Sequence, residues 1–243
     1  MSKKAKFNIF RFDPDNEKEP RFQLFEIPYS EGMTVLDALF YIQDHVDPSL
    51  CFRFSCRAAI CGSCAVHVNG SYCLACETQA SPALDSPMTI RPLAHLPIIR
   101  DLVVDMKPFW KHYKRILPYL IPGSPPPKAD QERVQSQADR EKMDVVVDCI
   151  LCASCHASCP MTASDEEYIG PAALLKANRF FVDSRDDAKE QRLQLVSDEH
   201  GVWRCHTVFN CSVACPKDLD PAGSIANLKR AATRKFLLKP NAR

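Results

Sequence analysis

Residues Cys149 to Pro160 read CILCASCHASCP, four cysteines at spacings of x2, x2 and x3 with a proline directly after the last. This is the bacterial ferredoxin run, in which the first three cysteines ligate one cluster and the fourth reaches across to a second. Further on, Cys205 to Pro216 read CHTVFNCSVACP and supply Cys205, Cys211 and Cys215. Laid on the same template, the second ligand position of this stretch falls at Val208, which has no ligating atom. Cross-assignment then gives Cys149, Cys152, Cys155 and the distant Cys215 to a [4Fe–4S] cluster. Cys159, Cys205 and Cys211 remain as three thiolates, the complement of a [3Fe–4S] cluster. A fourth iron with a water ligand, or recruitment of a spare cysteine, satisfies the same count.

Towards the N-terminus, SCRAAICGSC followed by LAC places Cys56, Cys61, Cys64 and Cys76 as C-x4-C-x2-C-x11-C. That is the plant-type spacing for a [2Fe–2S] cluster. Gly62 and the small Ala58, Ala59 and Ser63 permit the loop to approach a cluster closely and to point its N–H groups at sulfur. Zinc also accepts four thiolates, but structural zinc sites pair two C-x2–4-C knuckles, and only Cys61 and Cys64 make one here. Eleven of the 13 cysteines are then assigned; Cys51 and Cys73 are expected to be small buried hydrophobes.

Composition narrows the function classes. The 243 residues carry 31 Lys+Arg against 30 Asp+Glu, so no global basic field is available to hold nucleic acid. With 46% hydrophobic and 25% charged residues, the chain has the make-up of folded domains. The N-terminus MSKKAKFNIFRF lacks an apolar signal region, so a reducing compartment and metal-bound thiols are expected rather than disulfides. No run of 18 apolar residues occurs, and Ile116 to Ile121 is broken by Pro118 and closed by Pro122, so no membrane span is expected. Among the seven glycines there is no G-x-G-x-x-G and no Walker motif. Three clusters without a nucleotide motif describe a conductor of electrons. His156 and His206 adjoin ligand cysteines, where they tune potentials or move protons, or else serve as core or solvated histidines.

The patterning divides the chain in two. Residues 1–106 read as a compact α+β module: strands at Lys6 to Phe12 and Phe22 to Tyr29, then a helix capped by Thr34 with apolar Val35, Leu39, Ile42 and Val46. After the cysteine loop come a strand Ala65 to Val68, the turn Asn69-Gly70 and a strand Met88 to Arg91. A helix is expected over Ile98 to Tyr113. Residues 107–129 form a proline-stiffened connector. Residues 130–243 read as helices at Gln131 to Val147, Pro171 to Phe181, Ala188 to Val196 and Pro221 to Phe236. From Lys229 to Arg243 the tail has six basic residues and no acidic one, the make-up either of a solvated helix end or of a contact with an anionic membrane or partner.

SCRAAICGSC with LAC, CILCASCHASCP, YIGPAAL, DSRD and CHTVFNCSVACPKDLDP, in this order over nearly the full length, resemble the iron–sulfur subunit of succinate dehydrogenase and fumarate reductase. The resemblance implies a β-grasp, plant-type ferredoxin-like domain followed by an all-helical, bacterial ferredoxin-like two-cluster domain. It also implies a flavoprotein partner with FAD that interconverts fumarate and succinate, and a membrane anchor with quinone and, as a further group, haem b. No nucleic acid takes part. The protein would be peripheral, on the cytoplasmic side of the inner membrane. The [2Fe–2S] cluster would lie nearest the flavin, the [4Fe–4S] cluster in the middle and the [3Fe–4S] cluster towards the anchor, with Pro160, His206, Val208 and Lys229 near the quinone. Two departures stand out. Ubiquinone-linked members have tryptophan shortly after the first Cys-Pro, where this chain has Met161-Thr162-Ala163-Ser164, and members with Cys-Arg-Glu-Gly differ from Cys56-Arg57-Ala58-Ala59 here. These point to a menaquinone-linked enzyme working as a fumarate reductase. The alternatives are an iron–sulfur subunit of a heterodisulfide- or glycolate-type oxidoreductase and a zinc-stabilised interaction scaffold.

Overall fold

The computed structural model describes residues 3–81, 86–125, 127–128 and 130–237. Two compact units make up the chain: Met1–Pro108 with Ile150–Ser158, and Phe109–Cys149 with Cys159–Arg243.

In the first unit the sequence KAKFNIFR buries every second residue, Ala5, Phe7, Ile9 and Arg11, as a half-buried strand requires. Strands β1 (Lys4–Arg11), β2 (Arg21–Pro28), β3 (Ala65–Val68), β4 (Ser71–Leu74) and β5 (Met88–Arg91) form one sheet in the order β2-β1-β5-β3-β4. β1 runs antiparallel to β2 and parallel to β5, and β3 is antiparallel to both β4 and β5. Helix α1 (Val35–His45) starts at a capping box. The Asp37 N–H donates to Thr34 Oγ1 at 3.1 Å, and the Thr34 N–H donates to Asp37 Oδ2 at 2.9 Å. It buries Val35, Leu39 and Ile42, whereas Val46 lies beyond its end and is exposed. A mixed sheet with one such helix is the β-grasp arrangement.

The expected helix from Ile98 does not begin there. Strands β6 (Ile98–Arg100) and β7 (Val103–Val104) form a hairpin, and helix α2 covers Lys107–Arg115. The cause is Asp101, a turn residue with φ 47° whose carboxylate is 2% exposed. That carboxylate accepts hydrogen bonds from Arg11 Nε at 3.0 Å, from the Phe12 N–H at 3.0 Å and from the Cys51 N–H at 2.9 Å. Arg11 also donates to Gln23, Asp47 and Ser49, so a buried charge at the end of β1 is fully partnered. The network holds the chain at Leu50 and Cys51, from which the first cysteine loop departs.

The remaining helices are short: α3 (Gln137–Glu141), α4 (Asp144–Val147), α5 (Ser154–Ala157) in the first unit, α6 (Pro160–Ser164), α7 (Pro171–Val182), α8 (Lys189–Val196), α9 (Asn210–Val213) and α10 (Pro221–Ala232). A π-helical turn, Thr233–Leu237, continues α10. The expected helix Gln131 to Val147 breaks into α3 and α4 because α3 buries no residue, and a short helix without a packed apolar face is marginal. α7 and α10 each start with proline in the first turn and pack on one another, burying Leu174, Ala177, Ile225 and Leu228. The DSRD stretch is a fastening. Asp186 receives the fully buried Arg192 at 2.7 Å, which also donates to the carbonyls of Ile116, Leu117 and Tyr119 and pins the connector after α2. Among the described residues no helix is long and apolar enough to cross a membrane.

Candidate metal centres

In the first unit Arg57 (φ 58°), Ala59 (φ 56°) and Gly62 (φ 70°) take left-handed conformations. Alternating such residues with ordinary ones turns successive N–H groups inward, a concavity suited to negative charge. The N–H groups of Ala58, Ile60 and Cys61 lie 3.3–3.4 Å from Cys56 Sγ. Those of Cys56 and Ala59 reach Cys61 Sγ and Cys76 Sγ at 3.4 and 3.3 Å. Burial works against ionisation of Cys61, but hydrogen bonds from Ser63 and Cys56 outweigh it and draw the thiol down to about 6. Cys64 is buried and is pushed up to about 12 by that burial, with Cys76 alongside. Amides aimed at sulfur and a buried thiol that needs a cation to ionise together fit a metal–sulfur cluster. Gly62 is required twice over: by its φ, and because a Cβ there would stand 2.7 Å from the Cβ of Cys152 and 3.1 Å from the carbonyl of Ile150.

The two later cysteine stretches share one backbone. In the first, Leu151 (φ 55°) and Ala153 (φ 67°) flank Cys152; in the second, Thr207 (φ 57°) and Phe209 (φ 66°) flank Val208. Ala153 and Phe209 each precede a four-residue helix, α5 or α9, and the following Ser158 and Ala214 have nearly equal dihedrals before Cys159 and Cys215. Val208 therefore occupies in the second stretch the backbone position that Cys152 occupies in the first.

In the second unit Cys159, Cys205 and Cys211 line a common pocket with Pro160, Tyr168, His206 and Val208. Burial raises the Cys159 thiol, and burial together with the charges of Cys159 and Cys205 pushes Cys211 up to about 11. Such crowded thiols, one buried and two half-buried, also call for a metal partner. Tyr168 is 1% exposed and lines the same pocket as Cys205, and its burial there raises the phenol well above its ordinary range. The Thr207 N–H lies 3.4 Å from Cys205 Sγ. Among the described residues no three His, Cys, Asp or Glu side chains come close enough to share a single ion; in a cluster none need do so, because sulfide ions share the coordination of each iron.

Pro160, His206 and Val208 are exposed where they line this pocket. Lys229 reaches it differently: its ammonium donates to the Cys205 carbonyl at 2.6 Å, which fixes the ligand loop rather than facing solvent. His156 is buried in α5 and His206 is exposed. Cys51 and Cys73 are half-buried, and burial raises both thiols. Sequence reasoning overlooked Tyr168 as a functional residue, although it begins the YIGPAAL stretch; spacing alone carries no sign that packing brings its ring into the pocket of Cys159, Cys205 and Cys211.

Residues 6–111 match a family described as 2Fe-2S iron–sulfur cluster binding domain, and residues 145–219 one described as 4Fe-4S dicluster domain. Over 227 residues the chain is 47% identical to the mitochondrial succinate dehydrogenase (ubiquinone) iron–sulfur subunit 1 of Oryza sativa subsp. japonica, covering 92% of this chain and 80% of the relative. Over 226 residues it is 43% identical to the succinate dehydrogenase iron–sulfur subunit of Paracoccus denitrificans, covering 92% and 86%. A chain of the apo Mycobacterium smegmatis Sdh1 complex superposes over the full length of both chains with a TM-score of 0.85 at 25% identity.

Proposed function

The chain belongs to the family of succinate dehydrogenase iron–sulfur subunits, and on that premise we propose that it relays electrons through three clusters between an FAD-containing flavoprotein, which interconverts succinate and fumarate, and quinone at a membrane anchor. Family membership decides against the zinc scaffold and the heterodisulfide- or glycolate-type subunit. Cys56, Cys61, Cys64 and Cys76 would hold [2Fe–2S]; Cys149, Cys152, Cys155 and Cys215 would hold [4Fe–4S]; Cys159, Cys205 and Cys211 would hold [3Fe–4S]. The observation that carries this reading is the shared backbone of the two later loops with Val208 in the place of Cys152. Bound clusters supply one-electron transfer, and the chemistry on succinate stays with the flavoprotein.

The protein's part is to set the electrostatics around sulfur. The N–H groups that surround Cys56 favour the more negative, reduced state, as does the Thr207 N–H at Cys205. Lys229 holds the Cys205 loop by its carbonyl. The exposed Pro160, His206 and Val208 would form the quinone-side rim, with the chain held peripherally by the anchor on the cytoplasmic side of the inner membrane. Met161 to Ser164 contain no tryptophan, which favours a low-potential quinone and fumarate reduction as the working direction.

An iron and sulfide assay with electron paramagnetic resonance tests the relay. About nine irons per chain and three distinct signals, one from an oxidised three-iron centre, are expected. Zinc, or three identical cubanes, sinks it. Turnover of the purified complex with menaquinol and with ubiquinol analogues tests direction; preference for ubiquinone in succinate oxidation overturns the finer reading.

A further inference from the structure

A second cavity, of about 480 Å³, lies in the second unit away from every cysteine, between α8, α10 and the π-helical turn. Its apolar wall includes Phe181 and Leu193, and four cations surround it: Lys189, Arg230, Arg234 and Lys235. One carboxylate, Glu190, belongs to the lining and is paired with Lys235 at 2.9 Å. Lys189, Arg230 and Arg234 have no acidic partner among the described residues. A net charge of +1 for the whole chain makes three uncompensated cations around one cavity a local feature rather than a consequence of composition. Guanidinium groups pair with phosphate oxygens bidentately, and an apolar wall beside them suits a ligand that is anionic at one end and hydrocarbon at the other. The volume falls within the range of organic ligand sites and is far larger than inorganic phosphate needs.

We infer that this cavity binds the headgroup of an anionic phospholipid, with Arg230, Arg234 and Lys189 at the phosphate and Phe181 and Leu193 against the first hydrocarbon carbons. The inference rests on the peripheral-membrane reading above. It gains from the course of α10: Lys229 holds the carbonyl of Cys205, at the pocket assigned to the membrane side, and Arg230 and Arg234 follow on the same helix and the turn that continues it. A phosphate clamp there would add a lipid contact to whatever the anchor subunit provides.

The test is flotation of the full-length, cluster-loaded chain with vesicles of phosphatidylglycerol in phosphatidylcholine, and with phosphatidylcholine alone. Wild type is expected to float only with the anionic vesicles, and each of Arg230→Gln, Arg234→Gln and Lys189→Gln to weaken that partition about fivefold. Lys107→Gln, a 91% exposed ammonium elsewhere, should leave partition unchanged. Equal loss from Lys107→Gln, or undiminished binding by the triple variant, overturns the site. Displacement from vesicles by millimolar inorganic phosphate but not by chloride of equal ionic strength would make free phosphate the ligand and overturn the lipid assignment. Cluster absorbance and resonance spectra of each variant report separately on the electron-relay reading: intact spectra without lipid selectivity refute this inference alone.

Discussion

At Cys205 the sulfur receives the Thr207 amide at 3.4 Å, and the buried Tyr168 lines the same pocket with a hydroxyl that can serve as a second donor. Hydrogen bonds to a ligand sulfur stabilise added negative charge, so they raise the reduction potential. Tyr168→Phe is expected to lower the midpoint of the three-iron centre by about 20–65 mV, the equivalent of about 0.5–1.5 kcal/mol for one hydrogen bond, while leaving the other two centres unchanged. Redox titration followed by resonance measures this, and an unchanged midpoint removes Tyr168 from the account. Val208 has the converse role, since its aliphatic side chain stands where Cys152 stands in the companion loop. Val208→Cys is expected to add one iron per chain and abolish the oxidised three-iron signal; iron analysis showing no gain would break the alignment of the two loops. Ligand positions of this kind are legible in sequence because each needs one residue type at a set spacing. Tyr168 was not, because its role depends on where packing of the second unit turns its ring.

Among the elements, the legible ones were those with a strong periodic face or a fixed punctuation. β1 and α1 lie within two residues of where they were expected, α1 from the Thr34 cap and its periodic apolar face, and α7 and α10 start at Pro171 and Pro221 as expected. The β6–β7 hairpin was not legible. Ile98 to Val104 is a short apolar run whose turn is decided by three hydrogen bonds to the buried Asp101 from residues far away in sequence. The cysteine loops combine both cases: their glycine was noticed, but its neighbour was not. Gly62→Ala must strain a φ of 70° and press a Cβ onto Cys152. A destabilisation of about 1–3 kcal/mol is expected, together with loss or broadening of the [2Fe–2S] signal, read by thermal melting and resonance. A variant that melts and resonates like wild type would mean that the loop has room to spare.

At the scale of the whole molecule, buried thiols are held against their own chemistry. Cys64, Cys159 and Cys211 resist ionisation where they stand, so the folded chain without metal keeps neutral sulfurs in sites shaped for thiolates. Metal binding therefore adds directly to folding free energy. Removing iron with a chelator under reducing conditions is expected to lower the melting temperature of the chain and weaken its near-ultraviolet circular dichroism. Equal melting of the two forms would show that the loops stand without their clusters. The number, order and spacing of the cysteines, the family they signify and the division into a sheet-bearing part and a helical part were all legible from the chain alone, because coordination chemistry and hydrophobic period are written in residue identity and spacing. Which amides face those sulfurs, which thiols are buried, that Lys229 grips the Cys205 loop, and that the cations of α10 and α8 gather round one cavity became visible with the folded chain. Those are properties of environment, created when distant segments pack together, and no local pattern encodes them.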